Sequence, residues 1–128
     1  RVSRSLVHML ESVVTPAGTG VRAAIPGYRV AGKTGTAWKS NAGGYSTDRY
    51  MAVFGGVAPA THPRLAAVVI IDEPGAGQYY GGDVAAPVFS RVVGGALRLM
   101  AVAPDAAIGA PDEVPSMPSP ARQQVALR

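Results

Sequence analysis

Residues 32–38 read Gly32-Lys33-Thr34-Gly35-Thr36-Ala37-Trp38. This run combines one cation, two hydroxyls and a glycine, which suits a site that holds a carboxylate while a backbone approaches closely. On a strand, Thr34 and Thr36 share one face, and hydroxyls about 7 Å apart can both donate to one carboxylate. The Lys33 side chain starts on the other face, but its flexible stem can reach round the strand edge.

Gly35 removes the side chain that would block a ligand lying along this strand. If the strand is at a sheet edge, its unpaired backbone groups can accept an extended peptide, and the N–H of Thr36 can help to form an oxyanion hole. The chain contains no Ser-x-x-Lys and no Ser-x-Asn. The run is therefore predicted to be one wall of a site whose nucleophile lies elsewhere. A polar edge strand with a protective charge is the non-functional alternative.

The sequence on either side predicts a sheet with flanking helices. Apolar residues at helical spacing indicate a helix over residues 2–14. Strands are predicted over 28–38, 49–57 and 65–71, and the short turn-rich loops between them favour an antiparallel meander.

A second helix is expected after residue 82, with Asp83 as its cap and Pro87 in its first turn. Its apolar face is predicted to contain Val84, Val88, Val92, Leu99 and Met100. The pair Gly94-Gly95 weakens a helix, which is easier to explain where the helix packs closely on a sheet.

Composition narrows the class of protein. The chain has 128 residues, a net charge of +4 and no cysteine, and its basic residues are scattered. Nucleic-acid binding, a disulfide framework and a cysteine-ligated metal site are therefore not expected. His8 is expected on a helix surface and His62 in a loop, so no metal site is predicted. No signal peptide or membrane span is visible, and the chain reads as a piece of a longer protein.

One motif indicates a different function, nucleotide binding. Residues 27–34 satisfy the P-loop pattern G-x-x-x-x-G-K-[ST], and residues 68–73 resemble an apolar strand that ends in a magnesium-binding Asp. However, Pro26 stands where an apolar strand should enter the loop, and the residues after Thr34 are poor helix formers. Nucleotide binding is a remote alternative, which a helix starting at Lys33-Thr34 would support.

A wider set of residues carries a family resemblance. Ser-x-x-Lys, a Ser-Asp-Asn-type motif and Lys-Thr-Gly together mark β-lactamases and penicillin-binding proteins. The flanking segments that match are Gly18-Thr19-Gly20, residues 27–37, 50–59 and 68–74, and Gly81-Gly82 followed by 86–89. Over roughly residues 1–105 the chain resembles class B penicillin-binding proteins, most closely the cell-division (septal) peptidoglycan D,D-transpeptidases.

This resemblance implies an α/β fold of the α+β type, in which an antiparallel sheet carries helices on both faces. Residues 1–103 would supply the last three of five strands with their flanking helices, and 104–128 a Pro-rich, disordered tail. By analogy, Lys33 sets the electrostatics of the cleft, while Thr34 and Thr36 bind the carboxylate of D-alanyl-D-alanine or of a penicillin. The amide of Thr36 would give half of the oxyanion hole.

Tyr79 and Tyr80 resemble the aromatic wall that the family offers to substrate side chains, although plain packing is the alternative. Asp72 and Glu73 are expected to be turn residues and not an acid–base pair. The nucleophilic serine, its partner lysine and the Ser-x-Asn motif lie upstream in the family, so this fragment alone is expected to be inactive.

The resemblance implies acyl transfer without a metal or organic cofactor. Expected partners are peptidoglycan stem peptides, β-lactams, the upstream half of the same domain and divisome membrane proteins. The family works at the periplasmic face of the inner membrane, held by an anchor outside this chain. The alternatives are a serine β-lactamase or D,D-carboxypeptidase, and a non-catalytic scaffold for peptidoglycan or division proteins.

Overall fold

In a computed structural model of the chain, residues 2–75 and 77–106 are described. The helices are α1 (Val2–Glu11), α2 (Gly81–Val84) and α3 (Ala86–Leu99), with single 3-10 turns at Ser12–Val14 and Val21–Ala23; the strands are β1 (Ala31–Asn41), β2 (Gly44–Ala58) and β3 (Leu65–Asp72). Most of the predicted disordered tail lies outside the described residues.

The three strands form one antiparallel sheet in the order β1-β2-β3, as the meander prediction required. In the described part of the chain, β1 pairs with β2 alone and so lies at a sheet edge. β2 begins at Gly44, five residues before its predicted start, because backbone pairing of Ser40 with Tyr45 extends the hairpin through polar residues. Such pairing leaves no hydrophobic alternation for sequence reasoning to detect.

The P-loop alternative fails at this point. Thr34 lies inside β1, which continues as a strand to Asn41. A phosphate-binding loop needs a helix that starts at the Lys-Thr pair, so that its N-terminal N–H groups face the phosphates. Residues 27–34 therefore do not form a nucleotide-binding loop.

The core lies between one face of the sheet and α3. Its largest fully buried side chains are Phe54 on β2 and Phe89 and Leu97 on α3. The two phenylalanine rings meet edge to face with centroids 4.9 Å apart. Alternate residues of β3 pack against the same cluster, which gives that strand its period of two.

The prediction of which face of α3 is buried was wrong. Val92 is 61% exposed and Leu99 is 91% exposed, whereas Phe89, Val93 and Leu97 are buried. These buried residues are spaced four apart, as one face of a helix requires. Phe89 has the largest apolar surface in the helix, and its burial decides which face turns inward.

Two details around α3 also differ from expectation. Gly94 is buried, but the close contact that its missing side chain permits is with Ile25 and not with the sheet. Asp83 does not cap a helix, because α2 already begins at Gly81 and its N-cap residue is Tyr80. Pro87 does lie in the first turn of α3, as predicted.

The opposite face of the sheet carries α1 and remains largely open. Leu6 and Met9 on the helix and Val68 and Ile70 on β3 are all more than half exposed. His8 lies on the surface of α1 and His62 in the turn after β2, as predicted. Within the described residues, no helix has both the length and the apolar character needed to cross a membrane.

Candidate functional site

Thr34 and Thr36 open into the same cleft at the edge of the sheet. The cleft has a volume of about 250 Å³ and is lined by Thr19, Thr34, Thr36, Tyr80, Gly81, Gly82 and Asp83. The two threonines share a face because they are two residues apart on β1. The structure thus brings together the two hydroxyls that the sequence singled out.

Both hydroxyls have partners that leave donor capacity toward the cleft. The backbone N–H of Gly81 donates to Thr36 Oγ1 at 3.2 Å. A hydroxyl that accepts a hydrogen bond still has its own proton to donate. Thr34 Oγ1 lies 3.1 Å from Thr19 Oγ1, and when Thr19 donates, the Thr34 proton is likewise available to a carboxylate.

Lys33 brings positive charge to this edge. Its side chain starts on the opposite face of β1 and folds back, so that Nζ donates to the carbonyl oxygen of Thr34 at 2.9 Å and to Thr34 Oγ1 at 3.4 Å. The prediction that its stem can wrap the strand edge is met by this geometry. The ammonium therefore lies beside one of the two hydroxyls that face the cleft.

Glycines form the far wall of the cleft. A Cβ at Gly81 would overlap the carbonyl oxygens of Val53 and Gly35, and a Cβ at Gly82 would overlap that of Thr19. The first turn of α2 therefore lies directly against the backbone of β1. A side chain at either position would widen the cleft.

Tyr79 and Tyr80 belong to a larger aromatic cluster. The Tyr79 ring stacks on Tyr50 of β2 with centroids 4.1 Å apart, and Trp38 of β1 meets Tyr50 edge to face at 5.9 Å. The Tyr79 hydroxyl donates to that of Tyr80, a bond that raises the pKa of Tyr79. Tyr80 lines the cleft and is 57% exposed, whereas Tyr79 is held against the sheet.

Lys39, the other cation of β1, is engaged in ion pairs. Its Nζ lies 2.8 Å from Glu73 and 2.9 Å from Asp72, and hydrogen bonds to Glu73 and then Asp72 raise the pKa of Lys39. Asp72 is the last residue of β3, Glu73 follows it in a bend, and both carboxylates pair with Lys39. The expectation of turn residues therefore holds for Glu73 and not for Asp72. In the part of the chain that the structure describes, no cluster of His, Asp and Glu could hold a metal ion.

Sequence reasoning missed several residues of the site. Thr19 was named only within the segment Gly18-Thr19-Gly20 that carries the family resemblance, and nothing local places it beside Thr34. Asp83 was read as a helix cap but lines the cleft, where Arg22 lies 3.9 Å from its carboxylate. Trp38 and Tyr50 carried no signal, because their contact depends on the register in which Trp38 pairs with Tyr50.

Comparison with known proteins gives consistent matches. The penicillin binding protein transpeptidase domain matches residues 1–94. The chain is 55% identical over 105 residues to the peptidoglycan D,D-transpeptidase FtsI of Escherichia coli K12, and 43% identical over 102 residues to the probable peptidoglycan D,D-transpeptidase PenA of Neisseria gonorrhoeae. These alignments cover 82% and 80% of this chain, but 18% of each relative.

A solved structure agrees with them. The transpeptidase domain of Burkholderia pseudomallei penicillin-binding protein 3 superimposes with a TM-score of 0.74 and 49% sequence identity. The match covers 81% of this chain and 31% of that one. The chain thus spans under a third of the domain and under a fifth of the curated relatives that it matches.

Proposed function

Because the chain belongs to the penicillin-binding protein transpeptidase family, we propose that it forms one wall of the active site of a serine peptidoglycan D,D-transpeptidase. The observation that carries the proposal is the cleft at the edge of β1. Two threonine hydroxyls open into it beside a lysine ammonium. This arrangement suits the terminal carboxylate of a D-alanyl-D-alanine stem peptide, or the carboxylate of a penicillin that mimics it.

The proposed reaction is acyl transfer in two steps. A serine outside this chain attacks the carbonyl carbon between the two D-alanines, and the terminal D-alanine leaves with a proton on its new amine. An amine of a neighbouring stem peptide then attacks the acyl-enzyme, forms the cross-linking amide and returns the serine hydroxyl. The N–H of Thr36 is proposed to donate to the oxyanion that develops in both steps.

The other residues of the wall have supporting roles in this proposal. Lys33 provides positive charge for the carboxylate and for the developing oxyanion, Gly35 leaves room for a peptide along the strand, and the Tyr79–Tyr80 pair contacts its side chains. No metal or organic cofactor takes part. The fragment by itself is expected to be inactive, because it contains neither Ser-x-x-Lys nor Ser-x-Asn.

The upstream half of the same domain is the proposed partner of the open sheet face. The apolar side chains of Leu6, Met9, Val68 and Ile70 are each more than half exposed on that side, and exposed apolar patches commonly mark interfaces. We further propose that the whole protein acts at the periplasmic face of the inner membrane, with an anchor outside this chain and divisome proteins as partners; the similarity to the peptidoglycan D,D-transpeptidase FtsI supports this proposal.

Covalent labelling by a fluorescent penicillin tests this proposal. The protein with its whole transpeptidase domain should be labelled, and Lys33→Ala should slow labelling by at least about a hundredfold, as loss of one oxyanion-stabilising group does elsewhere. Lys39→Ala is the matched control, because it removes the same side chain from the same strand six residues away, where the ammonium is paired with Asp72 and Glu73. Equal rates for the two variants would contradict the role of Lys33.

The fate of the acyl group distinguishes a transpeptidase from the alternative functions. A transpeptidase should join the acyl group to an added amine acceptor, whereas a β-lactamase or D,D-carboxypeptidase passes it to water. Rapid release of hydrolysed penicillin from the labelled protein would favour the β-lactamase. A protein that is folded but never labelled would be a scaffold.

A further inference from the structure

The residues that follow α3 turn back and bind the segment that leads into β1. The Tyr28 hydroxyl donates to the carbonyl oxygen of Val102 at 2.6 Å, and the N–H of Ala106 donates to that of Gly27 at 3.2 Å. Between them, Asp105 lies against the same lead-in. These contacts join positions more than 70 residues apart in the sequence.

The carboxylate of Asp105 is the centre of this junction. Oδ1 accepts the backbone N–H of Arg29 at 2.7 Å, and Oδ2 accepts the N–H and the hydroxyl of Thr61 at 3.2 and 2.7 Å. Burial raises the pKa of Asp105, but hydrogen bonds from Arg29 and Thr61 outweigh it, so that the pKa is lowered. The ionised carboxylate thus joins the lead-in of β1 to the turn between β2 and β3.

This junction is one of two places at which residues flanking α3 are hydrogen-bonded to the β1 strand or its lead-in. On the other side of α3, Gly81 at the start of α2 donates to Thr36 in the cleft. The segments on both sides of α3 are therefore hydrogen-bonded to the β1 strand or its lead-in.

We propose that Asp105 is a positioning residue for the cleft, an inference that rests on the proposed function. Its carboxylate fixes the segment that follows α3 against the lead-in of β1. Since α3 is a rigid element that packs against α2, the position of the segment after α3 influences where α2 holds Gly81 and Tyr80 relative to Thr36. Loss of the carboxylate lets α3 and α2 shift over the sheet, and the width of the cleft beside the Thr34 and Thr36 hydroxyls then changes.

Asp105→Asn is the informative substitution, because it keeps the shape of the side chain. All three contacts of Asp105 come from donors, and an amide places its own donor group against at least one of them. The matched control is Asp72→Asn. It makes the same chemical change at the opposite end of the sheet, where Lys39 retains Glu73 as a partner.

The experiment follows fluorescent penicillin labelling of the protein with its whole transpeptidase domain, at a temperature where circular dichroism shows every variant folded. Asp105→Asn should label to the same final extent as wild type, with a rate constant lower by at least about threefold, since small displacements of a site slow reactions by up to about a hundredfold. Asp72→Asn should keep the wild-type rate. Tyr28→Phe, which removes a neighbouring bond of the same junction, should slow labelling in the same direction.

The experiment distinguishes failure of the inference about Asp105 from failure of the proposed function. A lower final extent with an unchanged rate constant would mean that Asp105 only stabilises the fold, and a wild-type rate and extent would mean that it does not position the cleft; either overturns the inference. Absence of labelling in the folded wild-type protein would instead overturn the proposed function, and the inference with it.

Discussion

The backbone N–H of Gly81 donates a 3.2 Å hydrogen bond to Oγ1 of Thr36, across 45 positions of sequence. This bond joins the start of α2 to the middle of the edge strand. It also orients the threonine hydroxyl, because a hydroxyl that accepts from one side donates toward another. The cleft is therefore a contact between two elements, and its width depends on how closely they approach.

A methyl group at position 82 should disturb that approach. The added Cβ of Gly82→Ala would overlap the carbonyl oxygen of Thr19, so α2 or the Thr19 loop must move, and overpacking of this kind costs about 1–3 kcal/mol. We expect a lower melting temperature and slower penicillin labelling. Gly95→Ala is the control, because its Cβ meets nothing within 4 Å; it should stabilise α3 by about 1 kcal/mol and leave labelling unchanged.

Removal of the Thr36 hydroxyl should weaken carboxylate binding. Thr36→Val keeps the shape of the side chain, but it deletes the donor to the ligand and leaves the N–H of Gly81 without its acceptor. A hydrogen bond to a charged group contributes about 1.5–3 kcal/mol, which corresponds to labelling about 10- to 150-fold slower. Thr36→Ser should recover most of the rate. If Thr36→Ser is as slow as Thr36→Val, the methyl group and not the hydroxyl is responsible.

The aromatic cluster should hold Tyr79 in place. Tyr50→Leu removes the ring that stacks on Tyr79 at 4.1 Å, a contact that contributes about 0.5–1.5 kcal/mol beyond the area that it buries. We expect Tyr79 to become accessible to phenol nitration, while Tyr80, which is already 57% exposed, changes little. Unchanged protection of Tyr79 would show that other contacts hold its ring.

The part of the site that sequence predicted is the part that lies on one strand. Thr34 and Thr36 share a face because of strand geometry, and Lys33 is adjacent to them, so periodicity and side-chain chemistry suffice. Thr19, Gly81 and Asp83 come from three-dimensional packing of distant loops. In the sequence, Gly81 and Gly82 stand out only as part of the family resemblance, although their role is to let two backbones approach.

The sequence likewise predicted some parts of the fold and not others. Strand order and turn positions followed from the alternation of short apolar runs with Gly- and Pro-rich loops. The buried face of α3 did not, because valines lie on several sides of that helix and only the size of Phe89 distinguishes them. Burial against Phe54 is a tertiary contact that helical periodicity alone does not reveal.

Two substitutions in α3 test this assignment of its buried face. Phe89→Ala should destabilise the protein by about 3–5 kcal/mol, because it opens a cavity in the core. Val92→Ala, on the predicted but exposed face, should change stability by no more than about 0.5 kcal/mol. Chemical denaturation of the protein with its whole transpeptidase domain measures both. Similar losses for the two variants would mean that α3 is rotated from the orientation described here.

The pH dependence of stability should show whether the charge of Asp105 stabilises the junction. Its folded-state pKa is lowered, with burial opposing and hydrogen bonds from Arg29 and Thr61 prevailing, so its stabilisation is present above the unfolded-state value of about 4 and is lost as pH falls through the folded value. His62 and Arg64 line the same surface pocket as Asp105, and the backbone of Arg29 is bonded to its carboxylate. We therefore expect Asp105→Asn to be less stable than wild type at pH 7, with the difference shrinking below pH 4. Melting temperatures at pH 7, 5 and 3 measure this, and a difference that stays constant with pH would show that the charge of Asp105 does not hold the junction.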